Sequence, residues 1–375
     1  MQSAVKIKQS PVLTPHERLN VLLENAGVSK TVYSYVMPET EATLNALLDG
    51  DRDALHGMYR EAWTQKQDAM HEEFFATWKK WSSPVVKFND SEFPWVYTTG
   101  GASEALREAI YAYGHEARMQ GFTPTIHVFV GDYEGFAAYA QAAGIPVVAH
   151  HRRDWQAAIE KIGARDQFYI SQPAAIDGNV WGDFEAFVNT LYKHRPTAQV
   201  MLDLTYVGCV ARSFTVEAFA PNIRAIFFSL SKPMGVYYHR VGGMLSRGAY
   251  PGLFGNKWFK NLLSLKLGTV LMQKYGVHEL PRKYAAIGQM PAIAKTKRTL
   301  GLDLVPADVF LLAAAPYDGK GDQLAQYLVR GGAGEEKLRL CLTPTIAALV
   351  NPDIDSTVRA RAHEGVPDKN REVRA

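Results

Sequence analysis

Between about residues 95 and 250 the chain alternates short apolar runs with stretches of helical spacing. The runs at 125–130, 145–149, 167–171, 198–203, 224–229 and 242–246 have strand length. The stretches at 103–119, 134–143, 153–162 and 183–194 repeat apolar residues every three to four positions. Strands joined through helices lie parallel, so the pattern predicts an α/β, three-layer fold with a mainly parallel central sheet between helices. In open sheets of this kind ligands gather at the carboxyl ends of the strands. Tyr133, Asp203 and Lys232 all lie at or just past such ends.

Lys232 stands in Ser-Leu-Ser-Lys-Pro-Met-Gly-Val-Tyr-Tyr-His-Arg-Val-Gly-Gly, residues 229–243, directly after the apolar run Ala225-Ile226-Phe227-Phe228. A lysine at the end of a buried strand is costly unless it is paired or used covalently. A Schiff base with an aldehyde cofactor is such a use, and Ser229, Ser231 and Arg240 suit a phosphate. The commoner fate of a lone lysine is the surface. Two more segments bear on the choice. Val200-Met201-Leu202-Asp203-Leu204-Thr205-Tyr206 is an apolar strand ending in an acid, with a tyrosine three residues on. Tyr97-Thr98-Thr99-Gly100-Gly101-Ala102-Ser103 reads as strand, glycine turn and helix start, where small residues let backbone N–H groups approach an anion.

In this order the segments resemble the aspartate-aminotransferase-like family, the fold type I enzymes of pyridoxal 5′-phosphate (PLP). The resemblance spans roughly residues 85–345. It implies that Lys232 holds PLP as an imine and that Asp203 meets the pyridine nitrogen. It implies that Tyr206 reaches the 3′-oxygen and that Gly101, Ala102, Ser103, Ser229, Ser231 and Arg240 take the phosphate. Tyr133, in Val-Phe-Val-Gly-Asp-Tyr, would stack on the cofactor ring. Arg339, in Lys-Leu-Arg-Leu-Cys-Leu at 337–342, would bind the substrate carboxylate. Residues 1–50 would form an N-terminal arm and part of a small domain, 51–290 the large PLP-binding domain, and 291–375 a smaller C-terminal α/β domain. A helix over 254–275 would connect the two.

The pattern departs from the family in two places. At 170–181 the asparagine loop of the family is replaced, Ala175 standing where the asparagine is expected; either Gln172, Asp177 or Asn179 substitutes, or the contact is missing. Before Arg339 the usual closing turn gives way to Gly331-Gly332-Ala333-Gly334-Glu335-Glu336. The leading expectation is an aminotransferase of an α-amino acid. The first alternative is elimination, replacement or cyclisation at the β- or γ-carbon, as in 1-aminocyclopropane-carboxylate synthases, with S-adenosylmethionine as one substrate. The second is a non-catalytic protein on the same fold, for which a damaged lysine, acid or phosphate cup would be expected. The family also implies a homodimer, with Tyr59 and Trp63 as residues that could reach a neighbour.

A net charge of +3 with no basic block gives no reason to expect nucleic acid. No run of eighteen apolar residues suggests a membrane span. Cys209 and Cys341 have no metal spacing and read as buried thiols in a reducing, cytoplasmic setting. No metal site is expected. Residues 1–20 read as a polar arm, and the chain from Asn351 as a charged tail.

Overall fold

The computed structural model describes residues 14–50, 52–65, 68–258, 260–320, 323–332 and 334–351. Most of the expected arm and nearly all of the expected tail lie outside these residues. Within the arm, the chain is already helical at Pro15–Asn25. Thr14 and Glu17 close a capping box there, each side chain accepting from the other's backbone N–H.

In chain order the strands are β1 Val86–Lys87, β2 Trp95–Thr99, β3 Ile126–Phe129, β4 Val147–His150, β5 Gln167–Ser171, β6 Gln199–Asp203, β7 Val216–Glu217, β8 Ile223–Ser229, β9 Gly242–Ser246, β10 Val305–Pro306, β11 Leu312–Pro316, β12 Val329–Arg330 and β13 Lys337–Cys341. The large sheet has seven strands in the order β2-β9-β8-β6-β5-β3-β4. Only β9 runs against its neighbours β8 and β2; the other pairings are parallel. This is the expected mainly parallel α/β sheet. Residues 230–241 join β8 to β9 with a 3-10 turn, Tyr237–His239, and no α-helix, and β9 returns antiparallel.

Alternation along the central strands builds the three layers. Met201, Ala225, Phe227 and Tyr169 face one core with the helices Ala102–Gln120 and Glu134–Ala142. Leu202, Val200, Ile226, Phe228, Phe168 and Ile170 face the other, with Phe74 and Trp78 of the helix Asp68–Ser82 and Phe184 and Phe187 of the helix Phe184–His194. Trp78 stacks on Phe228 at 4.1 Å between ring centroids. Asp203 lies two residues beyond Met201 and Ser229 two beyond Phe227, so both belong to the face covered by Ala102–Gln120.

The second sheet is antiparallel, with four strands in the order β10-β11-β13-β12. A bridge between Ser29 and Cys341 ties the N-terminal segment to it. The helix over 254–275 is shorter than expected. Residues Pro251–Lys257 form a 3-10 turn, and the helix proper is Leu262–Lys274, capped by Asn261 accepting from the Ser264 backbone N–H at 3.0 Å. It packs against Asp68–Ser82. The chain reaches the second sheet through Glu279–Tyr284, a π turn at Ala285–Gln289, and Met290–Leu300. Gln289, at the end of the π turn, donates to the carbonyls of Ala307, Val309 and Leu312 and so joins the helical run to the sheet.

Candidate active site

The ends of β2, β3, β5, β6 and β8 share one edge of the large sheet, and the strand register sets what meets there. Ser171 at the end of β5 is level with Asp203 at the end of β6, which is level with Phe227 in β8. Asp203 is buried and accepts from the Thr205 backbone N–H at 2.9 Å and its hydroxyl at 2.6 Å. Both bonds fall on Oδ1, leaving Oδ2 with no hydrogen-bond partner among the described residues. Burial raises the Asp203 pKa; the Thr205 bonds and the Lys232 charge oppose the rise.

Lys232 carries its Nζ 5.2 Å from the centre of the Tyr206 ring. Burial lowers its pKa, and the nearby Asp203 carboxylate pulls the other way. A lysine so placed is more readily the neutral amine that imine formation requires. Burial raises the pKa of the Tyr206 phenol, with Arg339 the main opposing charge, so Arg339 and Tyr206 lie in one field.

Gly101 has φ +86°, which a side chain tolerates poorly, and a Cβ there would lie 3.1 Å from Arg240 Nη2 and 3.3 Å from Ser229 Oγ. The glycine thus brings backbone, guanidinium and hydroxyl into one cradle. Arg240 donates to the Gly100 carbonyl at 2.6 Å, and its own φ is 50°. Ser229 and Ser231 share a hydroxyl–hydroxyl bond of 3.0 Å. The helix Ala102–Gln120 starts beside them with no side-chain cap, leaving the first-turn N–H groups of Ala102 and Ser103 to an anion. Ser103 Oγ is 3.4 Å from the Tyr133 hydroxyl, which brings the aromatic to the same place. The lysine, the carboxylate with a free oxygen and the anion cradle together fit PLP.

Arg339 is buried on β13. A strand arginine among apolar neighbours should face water or meet an acid. Here it is 3% exposed, and it donates to the Ala175 carbonyl and, at 3.2 Å, to the Lys30 carbonyl. Its Nε has no partner. Burial brings its pKa down to about 10, with Arg330 adding to the fall. No carboxylate pairs with it among the described residues.

The three substitutes for the loop asparagine are all engaged elsewhere. Gln172 holds the Trp181 backbone with both ends of its amide, at 3.0 and 3.1 Å. Asp177 pairs with Arg152 and Lys337, each at 3.0 Å. Asn179 Oδ1 accepts from the Asp308 backbone N–H at 3.0 Å. Tyr206 is the partner that the resemblance implies for the 3′-oxygen.

Several residues at this edge escaped sequence reasoning. Thr205 braces Asp203. Buried Asp132 accepts from the Tyr133 backbone N–H at 2.7 Å and from both donors of Ser171, and burial pushes its pKa up to about 6. Glu104 accepts from the Gly100 N–H and, at 3.0 Å, from Asn256, fixing the glycine turn. Glu134 pairs with buried Arg330. Asp132 and Glu134 flank Tyr133 at the end of β3, the one local signal that could have found them.

No protein-family model matches the sequence, and no curated protein does. Solved structures do. A probable N-succinyldiaminopimelate aminotransferase from Thermus thermophilus is 17% identical with a TM-score of 0.62, covering 92% of this chain and 98% of its own. A histidinol-phosphate aminotransferase from Sinorhizobium meliloti, in complex with pyridoxal-5′-phosphate, is 14% identical with a TM-score of 0.58, covering 92% and 97%. A PLP-bound C-S lyase from Staphylococcus hominis is 13% identical with a TM-score of 0.56, covering 77% and 81%. At such identities the likeness is one of fold. The chain has the fold of the fold type I PLP-dependent enzymes.

Proposed function

We propose that the protein is a PLP-dependent enzyme of an α-amino acid, with transamination as its reaction. The observation that carries this reading is the convergence, at one sheet edge, of Lys232 with its lowered pKa, Asp203 with a free Oδ2, and the Gly101–Ser229–Arg240 cradle. Bound there, the cofactor supplies an electron sink for charge developing at the substrate α-carbon. Asp203 would keep the ring nitrogen protonated, Tyr206 would meet the 3′-oxygen and Tyr133 would cover the ring. Gly101, Ala102, Ser103, Ser229, Ser231 and Arg240 would hold the phosphate. Lys232 would hold the cofactor's aldehyde carbon and, as a neutral amine, would take the substrate α-proton as a general base and return it as an acid. Arg339, buried and without a carboxylate, offers its fork to the substrate's α-carboxylate.

The partners that hold Gln172 and Asp177 and the Oδ1 of Asn179 favour a second reading, elimination, replacement or cyclisation at the β- or γ-carbon. A loop amide drawn away from the 3′-oxygen would change the balance of charge on the ring. A C-S lyase shares the fold. An intact lysine, acid and cradle weigh against a non-catalytic protein. The buried free thiols of Cys209 and Cys341 suit the cytoplasm, and a homodimer completes the reading.

Borohydride treatment of the cofactor-loaded protein should leave one reduced adduct per chain, on the peptide holding Lys232. Lys232→Ala should fold with an unchanged circular dichroism spectrum and trap none. Trapping at the wild-type stoichiometry in that variant would overturn the assignment. Mixing the protein singly with the common amino acids and S-adenosylmethionine then separates the two chemistries. Keto-acid formation tied to an amino acceptor marks transamination, and a released fragment marks the alternative.

A further inference from the structure

Arg330 lies opposite Lys337 in the β12–β13 register, and Arg339 follows Lys337 by two residues. All three cations therefore stand on one face of the second sheet. The backbone beside them is pressed onto the loop that precedes Glu134: a Cβ on Gly131, whose φ is +83°, would lie 2.4 Å from the Gly331 nitrogen. Around them stand Arg152, Glu134 and Asp177, with Glu335 of the loop between β12 and β13. Glu134 pairs with Arg330. Asp177 pairs with Lys337 and Arg152, and Glu335 lies 3.9 Å from Arg152. Among the described residues, Arg152, Arg330, Lys337 and Arg339 meet the carboxylates of Glu134, Asp177 and Glu335, and Arg339 is the cation that no carboxylate pairs with. A buried charge is costly until it is matched, so this constellation calls for one more carboxylate.

Glu134 senses both arginines. Burial works against its ionisation, yet Arg330 and then Arg339 hold its pKa below the ordinary carboxylate range. Its side chain is 48% exposed, whereas that of Arg330 is 9% exposed and has an unpartnered Nε. The carboxylate thus covers the open side of Arg330, from which a second acid group on a substrate would approach.

We propose that Glu134, by occupying Arg330, restricts the site to amino acids with a single acid group. The substrates are monocarboxylic amino acids, and those with a second carboxylate or a phosphate are excluded. This inference rests on the proposed amino-acid reading, and it makes Glu134 a specificity determinant of that site. A substrate's α-carboxylate completes the charge count at Arg339. A second acid group would face Glu134 and could enter only by displacing it from Arg330.

The test compares 4-methylvalerate, a monocarboxylate, with glutarate, a dicarboxylate, as calorimetric ligands of the cofactor-loaded protein. The wild type should bind 4-methylvalerate more tightly. Glu134→Gln should move the preference toward glutarate by about tenfold or more. Adding Arg330→Met to Glu134→Gln should cancel that gain. Glu134→Ala, which cannot hold Arg330 through an amide, should shift the preference in the same direction. A wild type that already prefers glutarate, one that binds neither acid, or a ratio unchanged in both Glu134 variants would overturn the proposal. Borohydride trapping on the same samples tells the two failures apart. A shifted ratio without a trapped adduct would sink the PLP reading alone, and a trapped adduct with an unshifted ratio would sink the role of Glu134 alone.

Discussion

Lys232 and Asp203 illustrate how burial sets chemistry at a single residue. The same loss of solvent lowers the lysine's pKa and raises the acid's, and the attraction between them opposes both shifts. Thr205 works against the rise at Asp203 by placing two donors on Oδ1. Asp203→Asn keeps the shape and removes the charge. In cofactor-saturated protein it should cut turnover by about 10²-fold or more while cofactor occupancy changes far less, because the lost charge acts on the developing carbanion. Near-native turnover would refute the role of Asp203. Lysine, acid and cradle were legible because each sits at a strand end with its own local signature. The surroundings of Arg339 were not: the two carbonyls it meets come from loops distant in the chain, and no spacing announces them.

At the scale of elements, the alternation of strand and helix predicted the large sheet well. β4 is Val147–His150 where 145–149 was expected, and the helix expected over 153–162 is a 3-10 turn, Arg152–Asp154, followed by Trp155–Ile159. Away from the site, β3 and β4 hold a buried histidine pair. His127 Nδ1 is 2.8 Å from His150 Nε2, and His127 Nε2 is 2.8 Å from Asp166. Burial, with His127, Lys161 and His151 adding to it, brings the His150 pKa from 6.5 down to about 4. Between those values the unfolded chain binds a proton that the folded one refuses, so this residue's contribution is full above pH 6.5 and falls as the pH drops toward 4. Urea midpoints at neutral pH and near pH 5 check this. The wild type should lose more stability on acidification than His150→Gln, and parallel losses would dismiss the histidine as the source. The sequence offered no sign of the pair, because the two rings meet only through the pairing of neighbouring strands.

For the whole molecule, the second sheet closes over the strand ends of the first, with Arg330, Lys337 and Arg339 brought onto Glu134, Asp177 and the Ala175 carbonyl. The proposed homodimer belongs to this scale too. The helix Arg52–Gln65 carries Tyr59 and Trp63 at 48% and 89% exposure, one turn apart and therefore on one face. Light scattering should give a dimer, and Trp63→Glu should shift it toward monomer; a fully active wild-type monomer would defeat the proposal. What the sequence determined by itself is whatever depends on neighbours in the chain. The period of apolar residues decided strand against helix, and the length of the connections decided parallel pairing. Strand ends marked Lys232, Asp203, Tyr133 and the Gly100–Gly101 turn. Only the tertiary structure decided how charges distant in sequence are matched. It spent Gln172, Asp177 and Asn179 on other partners, gave Arg330 to Glu134, and left Arg339 with carbonyl oxygens alone. The physical reason is that burial and ion pairing depend on which surfaces pack together, and local spacing does not encode that packing.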